Sequence, residues 1–197
     1  HILEPLRRNI ALYSSSFDNS YWNKNRSTII SDNIISPDGT QNADKFLETT
    51  DNNSHNITKL ISDNTGKNLS VSVFMKKAER NYGVIYVGSG PGKGVLFDLE
   101  DGVIVKNIGL APNWKKIEDY GNGWYRCSMG YTSTDGSSEV TFGIAKDSTG
   151  NSSYVGDASK GIYIWGAQVE DSGIGINADY VSSYIPTTTS ITTRSAE

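Results

Sequence analysis

The stretch Leu69-Ser70-Val71-Ser72-Val73-Phe74-Met75-Lys76-Lys77 decides the fold class. Leu69, Val71, Val73 and Met75 fall at every second position, so in an extended chain they project from one side. Ser70, Ser72, Phe74 and Lys76 project from the other. A helix, with its period of 3.6, would scatter the same residues around its circumference, so the stretch reads as a strand with one face toward a core. Moving outward, the same alternation marks strands at residues 82–87 and 95–99, joined by the glycine-rich turn from Gly88 to Gly94. Asp101-Gly102, a pair that tolerates positive φ, then turns the chain into a strand at 103–108. Residues 123–131, 139–146 and 161–170 complete the strong set. Weaker alternation at 9–13, 27–30, 43–49, 55–60 and 180–184 brings the count to about ten to twelve short strands, with no amphipathic helix. Strands of this kind bury their apolar sides by packing as two antiparallel sheets face to face.

Composition agrees. The 197 residues are 36% hydrophobic and 20% charged, with 20 glycines, a turn-rich mixture poor in helix formers. That length suits one sandwich domain, placed at 1–186, with Pro186 opening a Thr/Ser-rich tail or linker at 187–197. The first ten residues carry two arginines and no apolar core of a signal peptide, so the start reads as a cut in a longer, multidomain protein. A net charge of −4 argues against general attraction to nucleic acid, and no apolar run of about 18 residues exists to form a transmembrane helix. The single cysteine, Cys127, lies on the apolar parity of its strand and reads as a small core residue. His1 and His55 stand apart from any Cys or acid at metal-ligand spacing. The acidic pairs Glu100-Asp101, Glu118-Asp119 and Glu170-Asp171 sit beside turns and read as solvated turn residues.

Several segments resemble a jelly-roll domain family found in phage tail and virion proteins and beside bacterial polysaccharide-degrading enzymes. They are Arg8-Asn9-Ile10-Ala11-Leu12-Tyr13-Ser14 with Phe17-Asp18-Asn19 and Tyr21-Trp22-Asn23-Lys24, then Pro37-Asp38-Gly39-Thr40 with Ala43-Asp44-Lys45. Ser72-Val73-Phe74-Met75-Lys76, Gly121-Asn122-Gly123-Trp124-Tyr125-Arg126, Ile164-Trp165-Gly166-Ala167-Gln168-Val169-Glu170 and Ser183-Tyr184-Ile185-Pro186-Thr187 follow in family order. The resemblance implies an all-β, jelly-roll β-sandwich of two antiparallel sheets, secreted or displayed on a virion as part of a larger protein. It also implies a non-catalytic carbohydrate-binding module that takes a polysaccharide across a concave sheet face. A structural or receptor-facing virion domain is the alternative, with a polysaccharide lyase behind it.

A sugar-binding face needs exposed aromatic rings for stacking and polar side chains for hydroxyls. Strand parity offers candidates. Tyr125, Cys127, Met129 and Tyr131 share the core side of their strand, which leaves Trp124 and Arg126 together on the other. Phe74 and Lys76 occupy the corresponding side of the central strand, and Gln168 that of the last strong strand, with Ile164 and Gly166. Trp165 falls on the opposite parity, with Tyr163, Ala167 and Val169, and is assigned to the core. Trp114, beside Lys115-Lys116, is a further surface aromatic, whereas Trp22 reads as a lid over one end of the sandwich. Packing remains an open alternative for Trp124, Arg126 and Gln168. Lys76 and Arg126 would suit an anionic glycan. The resemblance also implies a structural calcium, for which Asp18, Asp44 and Glu170 are the hard-oxygen candidates.

Overall fold

The computed structural model describes residues 6–62, 65–88, 92–134, 137–174 and 180–195. Among them the chain forms fifteen strands and no helix, arranged as a jelly-roll β-sandwich of two antiparallel sheets. The first sheet runs in the order β10 (Trp114–Asp119), β11 (Trp124–Thr132), β6 (Lys67–Lys77), β14 (Gly161–Ile174), β1 (Arg7–Asn9) and β15 (Thr192–Arg194). The hairpin of β3 (Ser27–Ile34) and β4 (Ala43–Glu48) joins it through β14. The second sheet runs β13 (Ser153–Val155), β5 (Asn52–Ser62), β12 (Ser137–Ala145), β7 (Tyr82–Val87), β8 (Lys93–Asp98) and β9 (Val103–Gly109), with β2 (Asn23–Asn25) on β5. Gly102, at φ +66, makes the turn between β8 and β9. The turn expected from Gly88 to Gly94 has its centre, residues 89–91, outside the described residues, as is His1.

The opening stretch sits where its alternation puts it, in the middle of the first sheet between β11 and β14. Its apolar face, with Cys127 and Met129 of β11, packs on Ile57, Ile85, Val95, Phe97, Phe142 and Ile144 of the second sheet, all buried in one cluster. Burying each such side chain contributes about 1.5–3 kcal/mol, so this layer dominates the stability. Cys127 is wholly buried, and desolvation pushes its thiol well up. Trp22 closes one end, 5.2 Å from the Phe17 ring and 5.8 Å from that of Phe142, with its indole N–H donating to the Tyr13 carbonyl at 3.0 Å.

Strand β14 departs from simple parity. Trp165 pairs with Phe74 but Gln168 pairs with Ser72, so two residues, Gly166 and Ala167, stand opposite Val73. Gly166 adopts φ +64, and a Cβ there would come within 2.9 Å of the Phe74 ring, which makes glycine the fitting residue for this bulge. The bulge resets the alternation. Ile162, Ile164, Ala167 and Val169 all face the sandwich core, while Trp165 lies on the outer side with Phe74 and Trp124. The assignment of Trp165 to the sandwich core is therefore corrected, as is that of Ile164 to the outer side.

The chain end differs from expectation too. Residues 180–184 form no strand, and residues 187–195 are not a free tail. Thr187 is buried, with its hydroxyl donating to the Ala11 carbonyl at 2.5 Å and its N–H to Ser14 Oγ at 2.9 Å. Strand β15 then adds to the first sheet beside β1.

Candidate functional site

The outer face of the first sheet carries most of the residues singled out from the sequence, and the topology places Phe74, Lys76, Trp124, Arg126 and Gln168 on that one face. It is not open. Residues 180–188 cross it as a strap, and Trp124 is only 3% exposed, Arg126 2% and Gln168 0%. Arg126 donates from Nη1 to the Ser182 carbonyl at 2.7 Å, and from Nε and Nη2 to Ser72 Oγ. Gln168 accepts the Ile185 N–H at 2.6 Å and donates to Glu170 at 2.6 Å. Phe74, Trp124 and Trp165 form a second apolar cluster under Tyr184, whose ring lies 4.5 Å from that of Trp165. The expected exposed platform of Trp124 and Arg126 is thus corrected: Arg126 and Gln168 bind the protein's own C-terminal strap, and Trp124 is held by the segment after β3, through Ile35. Trp114 lies about 20 Å along β11 from Trp124, half-buried over Gly130. Of the set, Lys76 and one edge of Trp124 reach a cleft, considered below.

The three calcium candidates do not all converge: Asp18 lies near enough to repel the Asp44 carboxylate, but Glu170 stands apart from both. Asp44 is buried at the start of β4 and accepts the backbone N–H groups of Phe17 at 2.8 Å and Asp32 at 3.1 Å. Glu170 lies farther along the sheet, with both carboxylate oxygens accepting the Ser182 N–H. Among the described residues no three His, Cys, Asp or Glu side chains are placed to hold a metal ion. The set does not fit a shared calcium.

Burial lifts the Asp44 carboxyl to about 6, with Asp18 and Asp32 adding repulsion and the two backbone N–H donors opposing it. The native state then holds a proton that the unfolded chain has released. Stability should accordingly fall as pH rises from about 4 to 6, by about 2–3 kcal/mol at one unit per 1.4 kcal/mol. An NMR titration of Asp44 beside denaturation at each pH checks this; titration at or below 4 would contradict it.

The outer face of the second sheet is covered at one end, where Val84, Leu96 and Ala145 are buried in a third apolar cluster, and carries a groove beside it. Its register builds rows of outward side chains: Thr58, Thr141, Tyr86, Gly94 and Ile108 in one, Asn56, Gly143, Val84 and Leu96 in the next. The two glycines leave a trough, and a groove of about 270 Å³ follows it. Tyr86 forms its aromatic wall. The ring lies against the backbones of Gly92 and Gly94, where a Cβ at either position would come within 2.7 Å of it, and the Gly92 N–H donates to its hydroxyl at 2.7 Å. A ring held this way loses little freedom when a ligand stacks on it. Asn56, Thr141, Ser54 and the exposed carboxylate of Glu139 supply donors and acceptors along the groove.

No protein-family model matches the sequence, and no curated protein matches it. Among solved structures, the chain is similar to the enzymatically active domain of tailspike protein 4 from bacteriophage CBA120, at 17% identity over 83% of this chain and a TM-score of 0.48. It is similar to the CBM22 and GH10 modules of the Clostridium thermocellum endo-1,4-β-D-xylanase 10B, determined with xylohexaose, at 9% identity over 89% and a TM-score of 0.45. It is also similar to the CBM35 of Cellvibrio japonicus Abf62, at 10% identity, covering 86% of this chain and 98% of that one, with a TM-score of 0.41. The chain spans 21% of the tailspike chain and 30% of the xylanase chain. The resemblance read from the sequence names the same two groups, phage tail domains and carbohydrate-binding modules.

The groove residues were not singled out from the sequence, yet a signal exists. Tyr82, Val84 and Tyr86 share one parity of β7, opposite Ile85 and Val87, so an outward aromatic pair is visible. What hides it is the glycine pairing across to β8 and β12, which only the register supplies.

Proposed function

We propose that the domain is a non-catalytic carbohydrate-binding module that takes a polysaccharide on the outer face of the second sheet, with Tyr86 as the stacking ring. The observation that carries this reading is the Tyr86 ring laid on Gly92 and Gly94 beside a glycine-floored groove. A pyranose presents an apolar face to such a ring and its hydroxyls to the Asn56, Thr141 and Glu139 side chains. Glycoside hydrolysis uses two facing carboxyls; among the described residues lining this groove, Glu139 is the one acid. The reading places the domain in a larger secreted or virion protein, holding it against a glycan surface.

The test begins with a glycan array and proceeds to calorimetry with the best neutral oligosaccharide. Tyr86→Ala should weaken binding by about 1–3 kcal/mol without loss of fold. Gly143→Val should block the groove from its floor. A Cβ there meets His55, Asn56 and Val84 at ordinary contacts of 3.6–3.7 Å, and valine suits a strand, so this variant should fold. Wild-type affinity in both variants would exclude the groove.

A further inference from the structure

The outer face of the first sheet has an opening at its end away from Trp114. There the end of β3, the turn after it and the β10–β11 turn enclose a cleft of about 620 Å³, within the range of about 300–1,000 Å³ that holds small ligands. Trp124 ties two of its walls together, its indole N–H donating to the Ile35 carbonyl at 3.1 Å. Tyr120, 48% exposed, stands edge-on to Phe74 with ring centroids 4.8 Å apart, which anchors one edge of its ring. Tyr163 lines the other side and Ile35, 60% exposed, the rim.

Among the described residues, Lys76 is the one charged side chain lining this cleft. Its ammonium donates to the Asn122 carbonyl at 2.6 Å, which uses one of three N–H donors, and it forms no ion pair among the described residues. The neighbouring carboxylates are engaged at home. Asp38 accepts from Ser36, Thr40 and Asn42 within its own turn, and Asp119 accepts the Gly121 N–H at 2.7 Å. A cleft lined by aromatic rings, with one ammonium that has no ion-pair partner among the described residues, suits a ligand with an apolar ring face and a single negative charge.

We infer that this cleft is a second binding site, for a carboxylated sugar unit, with Lys76 reading the carboxylate and Tyr120 and Tyr163 flanking the ring. It rests on the glycan-binding reading above and adds an acidic preference at a separate place. The test titrates the full chain with trimers of D-glucuronic and D-galacturonic acid, and with a neutral glucose trimer, by NMR and calorimetry. Lys76→Met should lower uronate affinity about tenfold, the scale of one hydrogen bond to a charged group. Lys76→Arg should retain it, Tyr120→Ala should weaken it, and added salt should weaken it in the wild type. Tyr86→Ala should leave uronate binding unchanged. The inference is overturned if the wild type binds neither uronate, if Lys76→Met binds as the wild type does, or if the loss follows Tyr86→Ala instead. Neutral-glycan binding that depends on Tyr86 with no uronate binding would overturn this site alone. Uronate binding that depends on Lys76, with no ligand dependent on Tyr86, would support it and overturn the groove.

Discussion

Trp165→Ala and Trp124→Ala should each destabilise the protein by about 3–5 kcal/mol, the cost of emptying a buried aromatic site. Both tryptophans are 3% exposed, and they share a cluster with Phe74 on the outer face of the first sheet. Trp124 also loses its indole hydrogen bond to Ile35. Denaturant unfolding measures the effect directly. Were Trp124→Ala to unfold at the wild-type midpoint, Trp124 would not be packed in this cluster and its end of the outer face would be an open platform after all.

Arg80→Ala should destabilise by a comparable amount, about 3–5 kcal/mol, because it strands a buried carboxylate. Glu48 has a wholly buried side chain. Arg80 reaches it with two parallel bonds of 2.5 and 2.9 Å, the Tyr154 hydroxyl donates at 2.5 Å, and the Asp157 N–H at 2.8 Å. These contacts link β4 of the first sheet to β13 of the second. Burial alone would raise the Glu48 carboxyl, but the Arg80, Tyr154 and Asp157 contacts outweigh it and hold it below its ordinary range. The stabilisation is therefore complete above that range and lost as pH falls through the lowered value. Wild type and Arg80→Ala should converge in stability toward acid pH. An unchanged midpoint for Arg80→Ala at neutral pH would show that the network contributes nothing.

Much of this fold is legible one strand at a time. Residues 69–77 reveal their core face because every second side chain is apolar, and β11 does the same through Cys127 and Met129. The alternation fails at Gly166, since a bulge and a regular strand look alike until the partner strand is known. Trp165 changes face there. Parity also placed Trp124, Arg126 and Gln168 correctly on the outer side yet could not reveal that the side is covered, because its cover comes from residues 180–188, more than fifty positions beyond Arg126. The polar composition of that segment suggests a loose tail, whereas its Ser182 and Thr187 are buried and hydrogen-bonded to the sheet and the N-terminal loop. The groove is hidden for a related reason: Tyr86 is visible, but the glycines that seat it belong to a different strand and turn.

The central claim is that the second sheet, not the first, presents the glycan-binding face. The most direct measurement is an NMR titration of the labelled chain with the neutral oligosaccharide that binds best on an array. Amide shifts should concentrate at Asn56, Tyr86, Gly94, Thr141 and Gly143, with Arg126, Gln168 and Ser182 unmoved. Shifts centred on Trp124, Arg126 and the strap, with the second sheet silent, would contradict the account.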